Sequence, residues 1–177
     1  MINKGSYGII DNFLPEESFN QIKNAILPEY SSNMTKIRRF GWSYEPSVAT
    51  LKKETEDWRL IAFVGMIYEK TIVSQEMYNI IVPHFLELGV RQFIRIKINL
   101  FPNTETIREH GVHHDYPFDH KGALFYLNTN NGYTKLEDGT KIKSVENRLL
   151  LFDSSKPHRG STCSDSPARI NINFNYF

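Results

Sequence analysis

Arg169-Ile170-Asn171-Ile172-Asn173-Phe174-Asn175-Tyr176-Phe177 alternates polar and apolar side chains without a break as far as Tyr176. A period of two belongs to a β-strand, so Arg169, Asn171, Asn173 and Asn175 share one face and Ile170, Ile172, Phe174 and Tyr176 the other. The apolar face needs a cover. The polar face looks into water or onto a ligand, although an ordinary half-exposed antiparallel strand satisfies the same pattern. From Arg91 a second run has the same period, Phe93, Arg95, Lys97 and Asn99 alternating against Ile94, Ile96, Ile98 and Leu100. Shorter strand-like runs follow at Gly122 to Asn128 and Arg148 to Asp153, with turn-rich stretches such as Asn130-Asn131-Gly132 and Glu137-Asp138-Gly139 between the strand runs.

The first half reads differently. Pro15 opens a helical segment with Glu16 and Glu17 in its first turn, and Phe19, Ile22 and Ile26 recur at helical spacing before Pro28 ends it. A second helix starts after Ser74 and carries Met77, Ile80, Ile81, Phe85 and Leu88 up to Gly89, with a kink expected at Pro83. Residues 30–57 have no clean period and read as irregular, with short strands near Phe40 to Tyr44. Helices first and many strands later indicate an α+β, mainly β chain in which helices pack on one face of a β-sandwich or jelly roll. The N-terminal helices are the only large apolar surfaces available to cover the last strand.

Composition limits what such a chain does. At 177 residues it is one domain's worth of protein, able to bury a core without staples. Its 21 basic and 20 acidic residues leave a formal charge of +1, which disfavours nucleic acid or anionic membrane as partner. The single cysteine, Cys163, removes both a disulfide framework and a cysteine-cluster metal site, so any metal falls to His and carboxylate. No run approaches a membrane span, and the N-terminal sequence lacks a signal-peptide pattern; a cytoplasmic location is the simple expectation, with the Asn33-Met34-Thr35 sequon a coincidence.

Four of the six histidines crowd into His110-Gly111-Val112-His113-His114-Asp115-Tyr116-Pro117-Phe118-Asp119-His120. In extended chain His113 and Asp115 share a face and can offer an imidazole nitrogen and a carboxylate oxygen to one ion, while His114 points away. A chain of this composition contains a His-x-Asp triplet by chance roughly one time in four, so context must carry the reading. A third ligand is available in His158, just after the strand ending at Asp153. Two histidines and a carboxylate on one face suit non-haem Fe(II) and oxygen chemistry. Arg169 adds a guanidinium able to clamp a carboxylate with two parallel hydrogen bonds.

His113-x-Asp115, Phe125-Tyr126-Leu127-Asn128, Phe152-Asp153 before His158, and Arg169 heading the last strand resemble the Fe(II)/2-oxoglutarate-dependent dioxygenases, in particular their prolyl 4-hydroxylase-like branch. The resemblance covers about residues 91–177, and Ile9-Ile10-Asp11-Asn12-Phe13-Leu14-Pro15 with its helix is similar to the family's N-terminal opening. It implies a double-stranded β-helix, a cupin-like jelly roll, at residues 91–177, with residues 1–90 as helical cover and irregular region of the same single catalytic domain. It further implies that His113, Asp115 and His158 ligate iron, that Arg169 pairs with the distal carboxylate of 2-oxoglutarate, and that the Tyr126 phenol bonds the same carboxylate. The family often has a tyrosine where this chain has Phe101; inward-facing Asn99, Lys97 or Asn173 are the replacements considered.

The implied reaction consumes 2-oxoglutarate and O2, with ascorbate as a possible reductant, releases succinate and CO2, and hydroxylates an unactivated C–H bond of peptidyl proline or another amino-acid-like substrate. Tyr116 and Phe118 beside the ligands, and Trp42 and Tyr44 as a lid, are the substrate candidates. His110, His114 and His120 are expected in solvent or behind the ligands. Iron affinity is expected to fall in mild acid, since the ligands bind deprotonated. Two other readings fit the same ligands: a catalytically inactive jelly-roll binding module with a structural zinc, and a metal-dependent hydrolase.

Overall fold

The computed structural model describes residues 7–27, 41–46, 48 and 57–177. Eleven strands occur there: β1 (Gly8–Ile10), β2 (Ser43–Glu45), β3 (Ala62–Glu69), β4 (Thr71–Ile72), β5 (Phe93–Pro102), β6 (Lys121–Tyr126), β7 (Tyr133–Lys135), β8 (Lys141–Lys143), β9 (Arg148–Asp153), β10 (Arg159–Gly160) and β11 (Ala168–Tyr176). The two α-helices are α1 (Glu16–Ile26) and α2 (Gln75–Ile81). An eight-stranded antiparallel sheet runs β1-β9-β6-β11-β5-β3-β2 with β4 paired to β3, and a three-stranded sheet runs β10-β7-β8.

The alternation of β11 sorts the molecule into two layers. Ile170, Ile172, Phe174 and Tyr176 join Ile96 and Ile98 of β5, Ala123 and Phe125 of β6, and Leu149 of β9 in one buried cluster. That cluster is capped by Phe19, Ile22 and Ile26 of α1 and by Met77, Ile81 and Phe85 of the second helical segment. The N-terminal helices therefore cover the apolar face of the large sheet, as the sequence implies. Phe85 stacks on Phe174 at 4.2 Å between ring centroids and meets Phe125 edge-on at 5.3 Å. On the opposite face Leu124, Tyr126, Leu150 and Phe152 pack with Ile142 of β8, joining the small sheet to the large one.

Pro83 does more than kink the second helix: α2 stops at Ile81 and a 3-10 helix continues from Val82 to Leu88, ending at Gly89 with φ 70°. The missing proline N–H removes the i−4 bond, and the tighter winding follows from that loss. Gly89 takes the left-handed conformation that ends helices. β3 and the short strands of the small sheet are absent from the sequence-based expectations. Those expectations also misplace Phe93. The β5–β11 register pairs Arg95 with Asn175 but Phe93 with Tyr176, so one extra residue bulges β5 and turns Phe93 to the helical side. Pro28, Phe40 and the Asn33 sequon lie outside the described residues.

Replacing Phe85 by alanine removes the ring on which Phe13, Phe125 and Phe174 converge. It is expected to cost about 3–5 kcal/mol in urea unfolding; a loss below about 1 kcal/mol would show that the helices contribute little to holding the large sheet.

Candidate metal centre

Residues 108–115 run antiparallel to 154–162 as an irregular ribbon across the mouth between the sheets. Thr162 N–H donates to Arg108 O at 2.9 Å, His110 N–H to Gly160 O at 2.9 Å, and Asp115 N–H to Ser154 O at 3.1 Å. His113 and His158 form an isolated bridge in this ribbon, exchanging N–H···O bonds of 2.9 and 2.8 Å. Being cross-strand partners, they bring their rings to 4.5 Å. Asp115, two residues on, falls on the same side, and His113, Asp115 and His158 present ligand atoms all within 4.8 Å of one another.

The backbone orients both imidazoles. His113 Nδ1 lies 3.2 Å from Gly111 O and His158 Nδ1 2.9 Å from Lys156 O. A carbonyl only accepts, so each Nδ1 carries the proton and each Nε2 keeps a lone pair for an ion. Burial pushes the His113 pKa down to about 4, and nearby His158 adds to the effect. Burial lowers His158 as well, against the pull of Asp115. His113 therefore stays neutral through mild acid, and burial favours the neutral form of His158 too.

Asp115 is held from several sides. Arg95 Nη2 donates to Oδ1 at 2.8 Å; Asn175 Nδ2 donates to Oδ2 at 2.8 Å and Asn173 Nδ2 to the same oxygen at 3.4 Å. Burial alone would raise the Asp115 pKa, but His158, Arg95 and Lys97, with the Asn175 bond, outweigh it and hold the carboxyl below the usual range. Asn175 also donates to Ser154 Oγ at 3.1 Å, and Ser154 Oγ lies 2.7 Å from His120 Nε2, whose Nδ1 is anchored by Phe118 O. Arg95, Ser154 and Asn175 have no site role in the sequence reading, whereas His120 takes one of the two positions expected of it, behind the ligands. The odd-numbered face of β5 carried the signal for Arg95; the contribution of Ser154 depends on the ribbon pairing, which no local pattern encodes.

Arg169 occupies the other end of the same inner face and is 1% exposed. Its Nε donates to Ser144 Oγ at 2.7 Å, Nη2 to Thr134 Oγ1 at 2.8 Å and Nη1 to Ser161 O at 3.4 Å. Its guanidinium lies over the rings of Phe101 and Tyr126 at 5.4 and 5.6 Å. Among the described residues no carboxylate comes within ion-pair distance of it. Gly132 makes the space: a Cβ there would sit 2.7 Å from Arg169 Cδ. Burial lowers the Arg169 pKa, yet a guanidinium stays cationic at neutral pH.

The remaining sequence candidates divide. The Tyr126 hydroxyl donates to Thr134 Oγ1 at 2.9 Å, and the Asn99 amide donates to Asn171 Oδ1 at 3.0 Å. Lys97 shares the inner face, and burial, with Arg95, pushes its pKa down to about 8. Tyr116 and Phe118 stack at 5.3 Å beside the ligands, and Phe118 stacks on Phe177 at 5.9 Å. Trp42 and Tyr44 are elsewhere. Tyr44 pairs with Phe63, which pairs with Leu100, putting it on the helix-covered face, and Trp42 packs against the main core. Of the two positions expected for the other histidines, His114 is in solvent, while His110 and His120 are buried, His120 reaching Asp115 through Ser154 and Asn175.

No protein-family model and no curated protein matches the chain. Solved structures do. A 2OG-Fe(II) oxygenase family oxidoreductase from Burkholderia pseudomallei superposes with TM-score 0.69 at 11% identity, over 99% of this chain and 92% of that one. A prolyl hydroxylase from Trichoplax adhaerens, in complex with a hypoxia inducible factor peptide fragment, gives 0.66 at 18% identity, over 99% and 84%. The viral collagen prolyl hydroxylase of Paramecium Bursaria Chlorella virus-1, a 2OG complex, gives 0.59 at 16%, over 97% and 96%. The chain has the fold of these oxygenases. In that jelly roll the His-Asp-His cluster sits on the ribbon at the mouth, and Arg169 lies deeper on the polar face of β11.

The buried imidazoles leave a signature in stability. Burial pushes His110 down to about 3 and His113 to about 4, while both titrate near 6.5 in an unfolded chain. Between these values the unfolded state binds more protons, so stability of the metal-free protein should fall as pH drops from about 6.5 to 4. Urea unfolding at pH 7, 5.5 and 4.5 checks this; constant stability across that window would mean the rings are hydrated.

Proposed function

We propose that the chain is an Fe(II)- and 2-oxoglutarate-dependent oxygenase that hydroxylates an unactivated C–H bond in peptidyl proline or another amino-acid-like substrate. One observation carries the reading: a buried guanidinium with no carboxylate partner among the described residues shares an inner face with two imidazoles and a carboxylate converging on one point. A zinc-binding module or a metal hydrolase has use for the three ligands but none for that cation.

The donor set fits the metal, since two neutral imidazoles and one carboxylate suit Fe(II) with coordination positions left for cosubstrate. It is also prepared to receive something. The described buried side-chain atoms without a hydrogen-bond partner are Arg95 Nε, Asn173 Oδ1 and both ring nitrogens of His110, groups that touch Asp115 or stand beside Phe101 and Arg169. Native interiors leave few such atoms unpaired. When bound, iron with 2-oxoglutarate and O2 supplies the oxidising chemistry, yielding succinate and CO2 with the hydroxylated product.

The chain's own residues do the positioning. His113, Asp115 and His158 hold the metal, and Arg95 with Asn175 fixes the Asp115 carboxylate in its ionised form and in one orientation. Arg169 takes the far carboxylate of the cosubstrate and so sets the depth to which it enters. The small sheet and the Leu124, Leu150 and Phe152 cluster keep water from the wall behind. At the rim, the stack of Tyr116, Phe118 and Phe177, with Phe118 and Phe177 43% and 44% exposed, offers flat apolar faces to a pyrrolidine ring. The peptide held by the Trichoplax adhaerens neighbour supports a peptide substrate on this fold, though fold alone does not name one.

Protein supplied with Fe(II), 2-oxoglutarate, O2 and ascorbate should form succinate slowly without substrate and faster with a prolyl peptide that it accepts. Asp115→Ala should lower both succinate formation and Fe(II) affinity by two orders of magnitude or more. Succinate formation that survives Asp115→Ala undiminished would sink the assignment.

A further inference from the structure

Near Arg169 lies a histidine that finds no hydrogen-bond partner among the described residues. His110 is 2% exposed, and neither ring nitrogen has a hydrogen-bond partner. Its backbone is fixed in the ribbon by the bond to Gly160 O at 2.9 Å, and its ring lies on Phe101 at 4.8 Å between centroids. It also neighbours the buried cation. The position a Gly160 Cβ would take lies 3.3 Å from Arg169 Nη1 and 3.5 Å from His110 Cδ2, so imidazole and guanidinium flank the same glycine. Packing alone does not account for this residue, because a phenylalanine would fill the place against Phe101 without stranding two polar atoms in the interior.

Around Arg169, Ser144 and Thr134 accept from the guanidinium, and two further polar side chains are bonded within the protein. Tyr126 donates to Thr134, Asn99 to Asn171, and Phe101 has no hydroxyl to offer. We propose that His110 is a cosubstrate-binding residue whose neutral imidazole donates an N–H to a carboxylate oxygen of the 2-oxoglutarate that Arg169 clamps. It thereby supplies the hydrogen bond that the phenylalanine at position 101 cannot. The inference rests on the oxygenase reading. Neutrality matters here: a protonated ring would set a second buried cation beside Arg169, and burial, Arg169 and His113 all act to keep it unprotonated. A neutral imidazole still carries one N–H, which is what a carboxylate requires.

Calorimetric titration of 2-oxoglutarate into the Mn(II)-loaded protein, which binds without turnover, tests this directly. His110→Phe keeps the ring contact with Phe101 and should weaken cosubstrate binding roughly tenfold or more while leaving Mn(II) affinity within about twofold; His110→Asn, which restores a donor, should recover part of the loss. A second readout needs no variant: in Zn(II)-loaded protein with 15N-labelled histidine, adding 2-oxoglutarate should settle the His110 ring in one tautomer and shift its bonded nitrogen. If the wild type binds 2-oxoglutarate but His110→Phe binds it equally well and the ring signals stay still, His110 is a packing residue and the oxygenase reading survives. If the wild type itself takes up no 2-oxoglutarate, the oxygenase reading falls, and this inference with it.

Discussion

A cation taken out of water without a counter-ion is among the costliest groups a protein interior holds, and Arg169 has none among the described residues. The structure around it is arranged to tolerate this. Gly132 vacates the volume its side chain needs, Ser144 and Thr134 accept from it, and the rings of Phe101 and Tyr126 flank it. These contacts satisfy donors but do not neutralise charge. The missing partner is an anion, and the polar face of β11 leads from Arg169 through Asn171 and Asn173 to the carboxylate of Asp115 at the mouth. On the proposed reading, a dicarboxylate cosubstrate entering between the guanidinium and a metal would complete the electrostatics at both ends.

Asp115 shows the same logic in reverse. Its carboxylate is buried but overcompensated, with Arg95 on one oxygen, two asparagine amides on the other, and Lys97 nearby. The arrangement keeps it ionised without help from a metal. Arg95 stands over the Tyr116 ring at 5.1 Å, so the group that fixes the ligand also steadies the first ring of the aromatic stack at the rim. The candidate metal centre and the aromatic rim are thus joined through one side chain.

Much of this was legible from the residues. The alternation of β11 and β5 is a local property, so the two faces, the helical cover and the inward position of Arg169 could be read without a structure. His113 and Asp115 were legible because a spacing of two in extended chain shares a face. What escaped depends on pairing between distant segments. The bulge that turns Phe93 over belongs to the β5–β11 register, and the burial of His110 belongs to the ribbon joining residues 108–115 to 154–162. Trp42 and Tyr44 were misassigned for a related reason: which face an edge strand presents is decided by its neighbour, here β3, whose strand character was not recognised.

The central claim is that Arg169 is kept for a ligand and not for the fold. Urea unfolding of wild type and Arg169→Met, each with and without Mn(II) and saturating 2-oxoglutarate, measures it most directly. The account expects the ligand-free methionine variant to be within about 1 kcal/mol of wild type or more stable, since an unpaired charge has been removed. At a hundredfold excess over Kd, 2-oxoglutarate should then stabilise wild type by about 2.7 kcal/mol and the variant by far less. A variant several kcal/mol less stable under all conditions, and stabilised by 2-oxoglutarate as much as wild type, would make Arg169 a structural residue and contradict the account.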